Sequence, residues 1–478
     1  MTAPTTIDRP VAAHQPPAAA LQQPSVVERY RRQGQARAWR ADIIEFVGWV
    51  SMAVAAALYL AYGGAARFGS IAQAFTSIGI LSGLVATDAV LIMLVLAARV
   101  PYIDRTLGHP RALALHARMG QWAVIGLGLH AAFLITGYAL AAQTGLIDQF
   151  WSFWKVTPDF GWAVLGMALF LVISGTSIAA ARRKLPYEVW HVLHLLSYVA
   201  VAASIPHMFS MGGLFYDNSP QRWYWIGLLC LTGAALVVYR VLMPLLATFD
   251  HQLRVAAVTW ISPDTVSIEL TGRRLDDLGA QAGQYFHWRC LAPGLWWHQH
   301  PFSLSAAPTD HSLRITVRVL GKGTAQLVTV RPGTRVAIEG PYGIFSDAAR
   351  TKDAVVLVGA GVGIAPIRAI LEGTHVTPGR AAVVLRASDR QGLYLVDEIT
   401  RLCRERGVAL ALLTGSRASD GRWVPASHPD LRLTDIAPYL AEADVFVCGP
   451  DPFTEAVVAE ARAAGVPESQ IQDERFNW

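Results

Sequence analysis

Cysteine is scarce in this chain, and so is charge. Four cysteines (Cys230, Cys290, Cys403 and Cys448) lie far apart among 478 residues, with no C-x-x-C pair. That pattern argues against a disulfide framework and against an iron–sulfur cluster held by thiolates. Charged residues make up only 16% of the chain against 53% hydrophobic, too few for an ordinary soluble protein. The formal net charge of +5 is modest, and no nucleic-acid partner is expected from it. The first ~28 residues, rich in Pro, Ala and Gln, lack the compact apolar core of a signal peptide and read as a disordered tail.

The apolar excess sits almost wholly between Asp42 and Ala247. A bilayer core needs about 20 apolar residues per helix, and six stretches qualify: 42–62, 77–98, 117–142, 161–181, 189–210 and 223–247. The connections alternate in charge. One side carries the basic run Arg29, Arg31, Arg32, Arg37 and Arg40, the 99–118 loop, and Arg182-Arg183-Lys184; the other side is poor in basic residues. The positive-inside rule then places the N-terminus and the C-terminal half in the cytoplasm. Trp151, Trp154, Trp162, Trp223 and Trp225 fit an outer aromatic belt. The expected organisation is a cytoplasmic tail over 1–40, a six-helix transmembrane bundle over 41–248, an antiparallel β-barrel over 249–347, and an α/β parallel-sheet domain over 348–478.

Histidines inside the spans are expensive and usually functional. The third span carries His116 and His130, 14 positions apart; the fifth carries His191, His194 and His207, the last two 13 apart. At 1.5 Å per residue both separations are roughly 20 Å. Each helix therefore offers one imidazole near the inner face and one near the outer. Two matched pairs suit bis-histidine ligation of two b-type haems, His116 with His194 inside and His130 with His207 outside. His191 is the alternative to His194, and interhelical histidines satisfied by hydrogen bonds are the plain alternative to the whole set. Thirteen residues do not return to one helical face, so Pro206 is expected to rotate His207 through a local kink. Gly126, Gly128 and Gly137 would let a flat porphyrin approach the backbone, or serve ordinary helix packing. Arg111, Arg118, Arg182 and Arg183 either pair with propionates or merely set topology, and topology is the simpler reading. Asp88, mid-span in the second helix, is expected to hydrogen-bond a neighbouring helix rather than move protons.

From His251 the chain reads as β-rich runs punctuated by Gly and Pro, such as Thr265–Leu270 and Leu313–Val319. Within them lies His300-Pro301-Phe302-Ser303-Leu304-Ser305. This resembles the H-P-F-[ST] signature of the NADPH oxidase and ferric reductase superfamily. The resemblance implies an FAD site with Phe302 and Ser303 beside the isoalloxazine, and His300, Pro301 and Ser305 around it. Arg318 and Gly321-Lys322-Gly323-Thr324 resemble the family's diphosphate contact, where a cation and backbone or hydroxyl donors face an anionic linker.

Farther on, the apolar run Val355–Val358 is followed by Gly359-Ala-Gly361-Val-Gly363-Ile-Ala-Pro366. Glycines there permit a tight turn and close approach of a pyrophosphate to the next helix's N-terminus. The spacing is similar to the nicotinamide loop of ferredoxin–NADP reductases. Cys448-Gly449-Pro450 resembles the same family's C-G-P element, whose cysteine and glycine face the reacting rings. Arg386, Ser416 and Arg417 match positions where relatives grip the adenosine 2′-phosphate, which favours NADPH over NADH. Trp478, in the closing Glu474-Arg-Phe-Asn-Trp478, is the counterpart of a terminal aromatic that stacks on the flavin.

The resemblance implies an NAD(P)H oxidase or ferric reductase-type flavocytochrome in the plasma membrane. It would pass electrons from cytosolic NAD(P)H through FAD and two haems to an outside acceptor, either oxygen, giving superoxide, or ferric iron. A quinone-linked reductase, or a haem-free transport or scaffold module fused to a flavin reductase, are the alternatives.

Overall fold

Long apolar runs must satisfy their own backbone groups in lipid, and helices do this within one segment. The computed structural model describes residues 26–181, 184–210, 219–418 and 421–475. The helices in its first half are α1 (Val26–Ala61), α2 (Ile71–Ala97), α3 (Pro101–Leu107), α4 (His109–Ala142), α5 (Leu146–Val156), α6 (Phe160–Ala181), α7 (Tyr187–Ser210) and α8 (Pro220–Val237). A π turn over Val238–Leu242 leads from α8 into α9 (Met243–His251). Among the described residues six helical segments are long and apolar enough to cross a membrane: Glu28–Ala61, Ile71–Ala97, Arg111–Ala142, Phe160–Ala180, Val189–Ser210 and Pro220–His251. Ser70 and Ser219 cap α2 and α8, each hydroxyl accepting the backbone N–H three residues on.

The chain divides into two compact units. One comprises Asp42–Ile103 and His109–Arg240. Its most extensive helix contact is α2 against α4. Small residues allow that approach: a Cβ on Gly137 would meet Thr76 Oγ1 at 2.4 Å, and one on Gly126 would meet the Ala86 methyl at 2.9 Å. Those two glycines therefore face α2 rather than a planar ligand, whereas a Cβ on Gly128 would have open space. Asp88 is fully buried and accepts from Ser51 of α1 (3.1 Å) and the Tyr224 hydroxyl of α8 (3.4 Å), knitting three helices. Trp225 is fully buried, unlike Trp151, Trp154, Trp162 and Trp223, so it belongs to the helix core and not to the belt.

The other unit holds Met1–Ala41, Asp104–Gly108 and Val241–Trp478. Part of the expected tail is ordered here: Val26–Arg40 is helix, continuous with the first span. Tyr30 is fully buried, donates to Asp347 (2.9 Å), and lies under the Arg350 guanidinium. The folded partner that rescues this stretch from disorder lies more than 300 residues away. Arg350 in turn forms a buried ion pair with Asp444 (3.2 Å).

Strands β1 (Arg254–Ser262), β2 (Thr265–Thr271), β3 (Tyr285–Cys290), β4 (His300–Ser303), β5 (Ser312–Arg318) and β6 (Val336–Tyr342) form two antiparallel sheets, ordered β1-β2-β5 and β4-β3-β6. Isolated bridges Leu304↔Ile315 and Arg254↔Arg335 join the sheets at both edges, so the six strands run round a barrel-like ring. Its core includes Val266, Ile268, Phe286, Trp288 and Ile315. After the short helix α10 (Lys322–Leu327) come β7 (Ala354–Ala360), α11 (Ile364–Gly373), β8 (Ala381–Ala387), α12 (Val396–Arg406), β9 (Ala409–Thr414), α13 (Leu433–Ile436), β10 (Ala443–Gly449), α14 (Asp451–Ala463) and β11 (Ile471–Arg475). These strands make a parallel sheet ordered β11-β10-β7-β8-β9. β7, β8 and β10 are buried along their whole length, as expected of central strands covered on both faces. Cores pack on each side of it.

Candidate functional site

In the membrane unit, α2 runs antiparallel to α4 and offers main-chain oxygens to two of the four histidines. His116 Nδ1 donates to the Met93 carbonyl (3.1 Å), and His130 Nδ1 donates to the Gly79 carbonyl (2.9 Å). Met93 and Gly79 are 14 positions apart, the same interval as His116 and His130. A carbonyl can only accept, so both rings carry a proton on Nδ1, and Nε2 is the nitrogen turned away from that bond. Such a backbone hydrogen bond is the usual orienting partner of a metal-binding histidine. Across the bundle, the His116 and His194 ring centres are 6.0 Å apart, and His194 packs on Trp190. His191 is exposed, and the ring facing His116 is that of His194. His207, one residue beyond Pro206 in α7, lies close enough to His130 for electrostatic interaction, and its buried Nδ1 has no partner among the described residues. Gly83 makes room for His130, since a Cβ there would lie 2.3 Å from Nδ1. Arg182 and Arg183 lie outside the described residues.

In the barrel, the turn after β3 delivers His300-Pro301-Phe302-Ser303 as β4, with Ser303 paired to Tyr285 and Phe302 to Phe286. Trp288 Nε1 donates to the Phe302 carbonyl (2.9 Å) and fixes that strand. His300 stacks on Phe302 at 6.1 Å between ring centres, and a Cβ on Gly323 would meet the imidazole at 3.0 Å. Burial, then the neighbouring His298, lower the His300 pKa, so the ring is neutral. Its Nε2 and the Ser305 hydroxyl are buried with no partner among the described residues. Orphaned polar atoms of this kind are costly unless a ligand satisfies them. Thr324 is spent locally: its hydroxyl accepts from Leu320 and Gly321 N–H and donates to the Gly321 carbonyl.

Between barrel and parallel sheet lies a cleft of about 530 Å³, lined by Asp264, Arg318, Gly361, Arg386, Arg417 and Pro450 among others. Arg318 opens onto this cleft beside the glycine loop and is held by Asp264 (2.7 Å). Arg386 spends donors on the Trp423, Ala387 and Gly415 carbonyls, and Arg417 on those of Arg422, Gly421 and Pro452. Burial and the charge of Arg417 lower the Arg386 pKa; two adjacent guanidinium groups are a ready partner for an anion. Ser416 is exposed beside them. Gly359 is the penultimate residue of β7, Gly361 takes φ +55°, and Pro366 sits in the first turn of α11. A Cβ on Gly363 would lie 2.1 Å from the Cys448 carbonyl oxygen, so the glycine loop and the Cys448-Gly449-Pro450 element meet main chain to main chain.

Cys448 is fully buried, and burial first, then the charges of Glu474 and Asp473, hold its thiol well above the ordinary range. It is a neutral thiol and not a thiolate nucleophile. Its register partner on β11 is Glu474, which accepts from the Ser303 hydroxyl (3.3 Å). The three side chains therefore converge where barrel meets sheet. Burial pushes the Glu474 carboxyl up to about 8, with Asp473 adding to the rise and the Ser303 bond opposing it. Arg475, the nearest cation in sequence, is engaged by Asp473 and Glu455. The sequence alone does not single out Glu474, because nothing local marks a carboxylate whose role depends on strand pairing. Trp478 lies outside the described residues.

Residues 82–205 match the ferric reductase like transmembrane component family, 251–346 an FAD-binding domain family, and 357–459 the oxidoreductase NAD-binding domain family. The chain matches the NADPH oxidase and ferric reductase superfamily. Within that superfamily it is similar to NADPH oxidase 1 of Mus musculus, at 27% identity over 199 residues, covering 40% of this chain and 31% of that protein. A superoxide-generating NADPH oxidase heavy chain of Dictyostelium discoideum is 25% identical over 246 residues, covering 47% and 33%. The chain spans about a third of the length of these two relatives. The flavohem-like FAD/NAD binding domain of nitric oxide dioxygenase from Vibrio cholerae O1 biovar El Tor aligns at 24% identity and TM-score 0.39, covering 48% of this chain and 99% of that domain. The superfamily's transmembrane match contains His116, His130 and His194, and His207 follows it by two residues. With six helical segments of spanning length among the described residues and that match, the chain is an integral membrane protein.

Proposed function

We propose that this protein oxidises cytosolic NAD(P)H at an FAD and delivers the electrons through two haems to an acceptor on the far side of the membrane, oxygen (giving superoxide) or ferric iron. The observation that carries this reading is the shared 14-residue interval by which α2 carbonyls aim two imidazoles. The donor set fits haem. The His116 and His194 rings face each other across the bundle with centres 6.0 Å apart, and the His207 Nδ1, buried with no partner among the described residues, supports a second pair. His116 with His194, and His130 with His207, would hold the two groups. The FAD fit rests on the His300 Nε2 and Ser305 hydroxyl, which have no partner among the described residues. When bound, the flavin exchanges electrons in pairs and the haems singly. The chain's own part is to bind and orient. Phe302 and Ser303 would flank the flavin, the 359–366 loop would seat the dinucleotide, and the Arg386–Arg417 pair would favour NADPH by binding its 2′-phosphate. The basic connections support cytoplasmic termini, and the membrane we propose is the plasma membrane.

Anaerobic NADPH should bleach the flavin band and reduce the haem bands of the purified full chain, and admitting oxygen or chelated ferric iron in separate arms should reoxidise them. A preparation with no haem absorbance would instead leave a flavin reductase fused to a haem-free bundle.

Glu474 gives a separate prediction. At neutral pH a carboxyl titrating near 8 is protonated and can donate a proton. NAD(P)H-dependent flavin reduction should therefore fall as pH rises through about 8, and Glu474→Gln should flatten that limb. The folded-state pKa lies above the ordinary 4.5. Its stability contribution is thus complete below the ordinary value and lost as pH climbs through the folded value. A thermal midpoint that rises across that window, or an unchanged limb in Glu474→Gln, would remove this role.

A further inference from the structure

We propose that Tyr394 is a positioning residue for the dinucleotide: its hydroxyl fixes the peptide between Gly361 and Val362 so that the glycine loop presents its amides to the diphosphate of NAD(P)H. The inference rests on reading the 359–366 loop as the seat of that ligand. Tyr394 lies in the segment between β8 and α12, is buried, and lines the cleft. Its hydroxyl donates to the Gly361 carbonyl, which also receives the Ile364 N–H. Gly361 takes φ +55°, and its would-be Cβ has open space, so the glycine serves backbone conformation and not packing.

A trans peptide is planar, so a carbonyl and the following N–H point in opposite directions. Holding the Gly361 oxygen toward Tyr394 turns the Val362 N–H away from it, and successive amides turned outward make an anion-binding concavity. The next residue, Leu395, adopts φ +59°, an unfavourable conformation for a branched side chain that persists only when its surroundings demand it. The bend it makes brings the phenol under the loop. Cys448, Arg318 and Asp264 all act electrostatically on the phenol, so the hydroxyl sits where the loop, the Cys448 strand and the cleft wall meet. Burial holds the phenol protonated, as a donor must be. A tyrosine that merely filled the core would need its ring and not its oxygen.

The test uses the full chain in detergent with FAD bound. NADP+ affinity is read from the flavin difference spectrum, and NADPH turnover is measured with ferricyanide as acceptor. Tyr394→Phe should raise the NADP+ Kd and the NADPH KM about tenfold, the size of one lost hydrogen bond at its upper end. kcat should stay within about twofold, with flavin content unchanged. Amide hydrogen exchange over residues 361–364 should speed up in the nucleotide-free variant. Unchanged KM, or unchanged exchange, overturns the proposal. So does loss of flavin or of the folded state, because phenylalanine keeps the ring, and such a failure would show that the hydroxyl holds the fold and not the dinucleotide loop. Wild-type protein that itself binds no NADP+ would bring down the underlying assignment of the loop, a result distinct from wild type and variant binding equally well.

Discussion

Alanine at His130 is expected to halve the haem content of the purified protein and leave the second haem's absorbance in place. The two proposed ligand pairs are separate: His116 faces His194 with ring centres 6.0 Å apart, while His207 interacts with His130. Each pair also has its own anchor on α2. A buried imidazole that loses its metal partner becomes an unsatisfied polar group, so His207→Ala should behave as His130→Ala does. His116→Ala and His194→Ala should remove the other half. Gly83→Ala leaves every ligand in place yet should reproduce the loss at His130, because its methyl would lie 2.3 Å from Nδ1 and drive the ring from its seat. Haem per chain, measured by absorbance, decides this. A His130→Ala/His207→Ala protein that still carried two haems would refute the assignment.

Gly363→Ala is expected to cut NAD(P)H-dependent flavin reduction at least ~100-fold while the spans and any haem stay intact. The added methyl would fall 2.1 Å from the Cys448 carbonyl oxygen, 2.3 Å from its carbon and 2.8 Å from the Gly449 nitrogen. All three are main-chain atoms at the end of β10, a strand hydrogen-bonded on both sides, so no rotamer change relieves the contact. The loop and the strand end must separate, and a displacement of about 1 Å between groups that orient reactants can cost ~100-fold in rate. The effect should show as slow flavin bleaching by NADPH in stopped flow, with FAD retained. A rate within threefold of wild type would mean that the two segments do not jointly hold the reacting rings.

Much of this architecture is legible in the sequence because its signals are local. Apolar runs of bilayer length announce the spans, and the strings at His300 and Gly359 announce a flavin and a nucleotide domain. What escapes the sequence depends on contacts between distant segments. Tyr30 reads as part of a tail, since only Asp347 and Arg350 make a burial site for it. Trp225 reads as a belt residue, because a tryptophan two positions from another one on a helix gives no sign of which faces lipid. Gly126 and Gly137 read equally well as porphyrin contacts, and only the approach of α2 assigns them to packing. Glu474 is invisible until β11 pairs with β10 and brings it alongside Cys448 and Ser303.

The acceptors that hold His116 and His130 belong to the main chain of α2, and this has an evolutionary corollary. Any residue at position 93 that preserves the helix and its packing still offers the same oxygen, so side-chain identity can drift there, whereas at position 79 a Cβ would come within 3.0 Å of the Leu134 backbone nitrogen on α4. The pair does not tolerate a change in length. One residue inserted between those positions would turn one acceptor by about 100° relative to the other, and the helix could then serve either imidazole but not both.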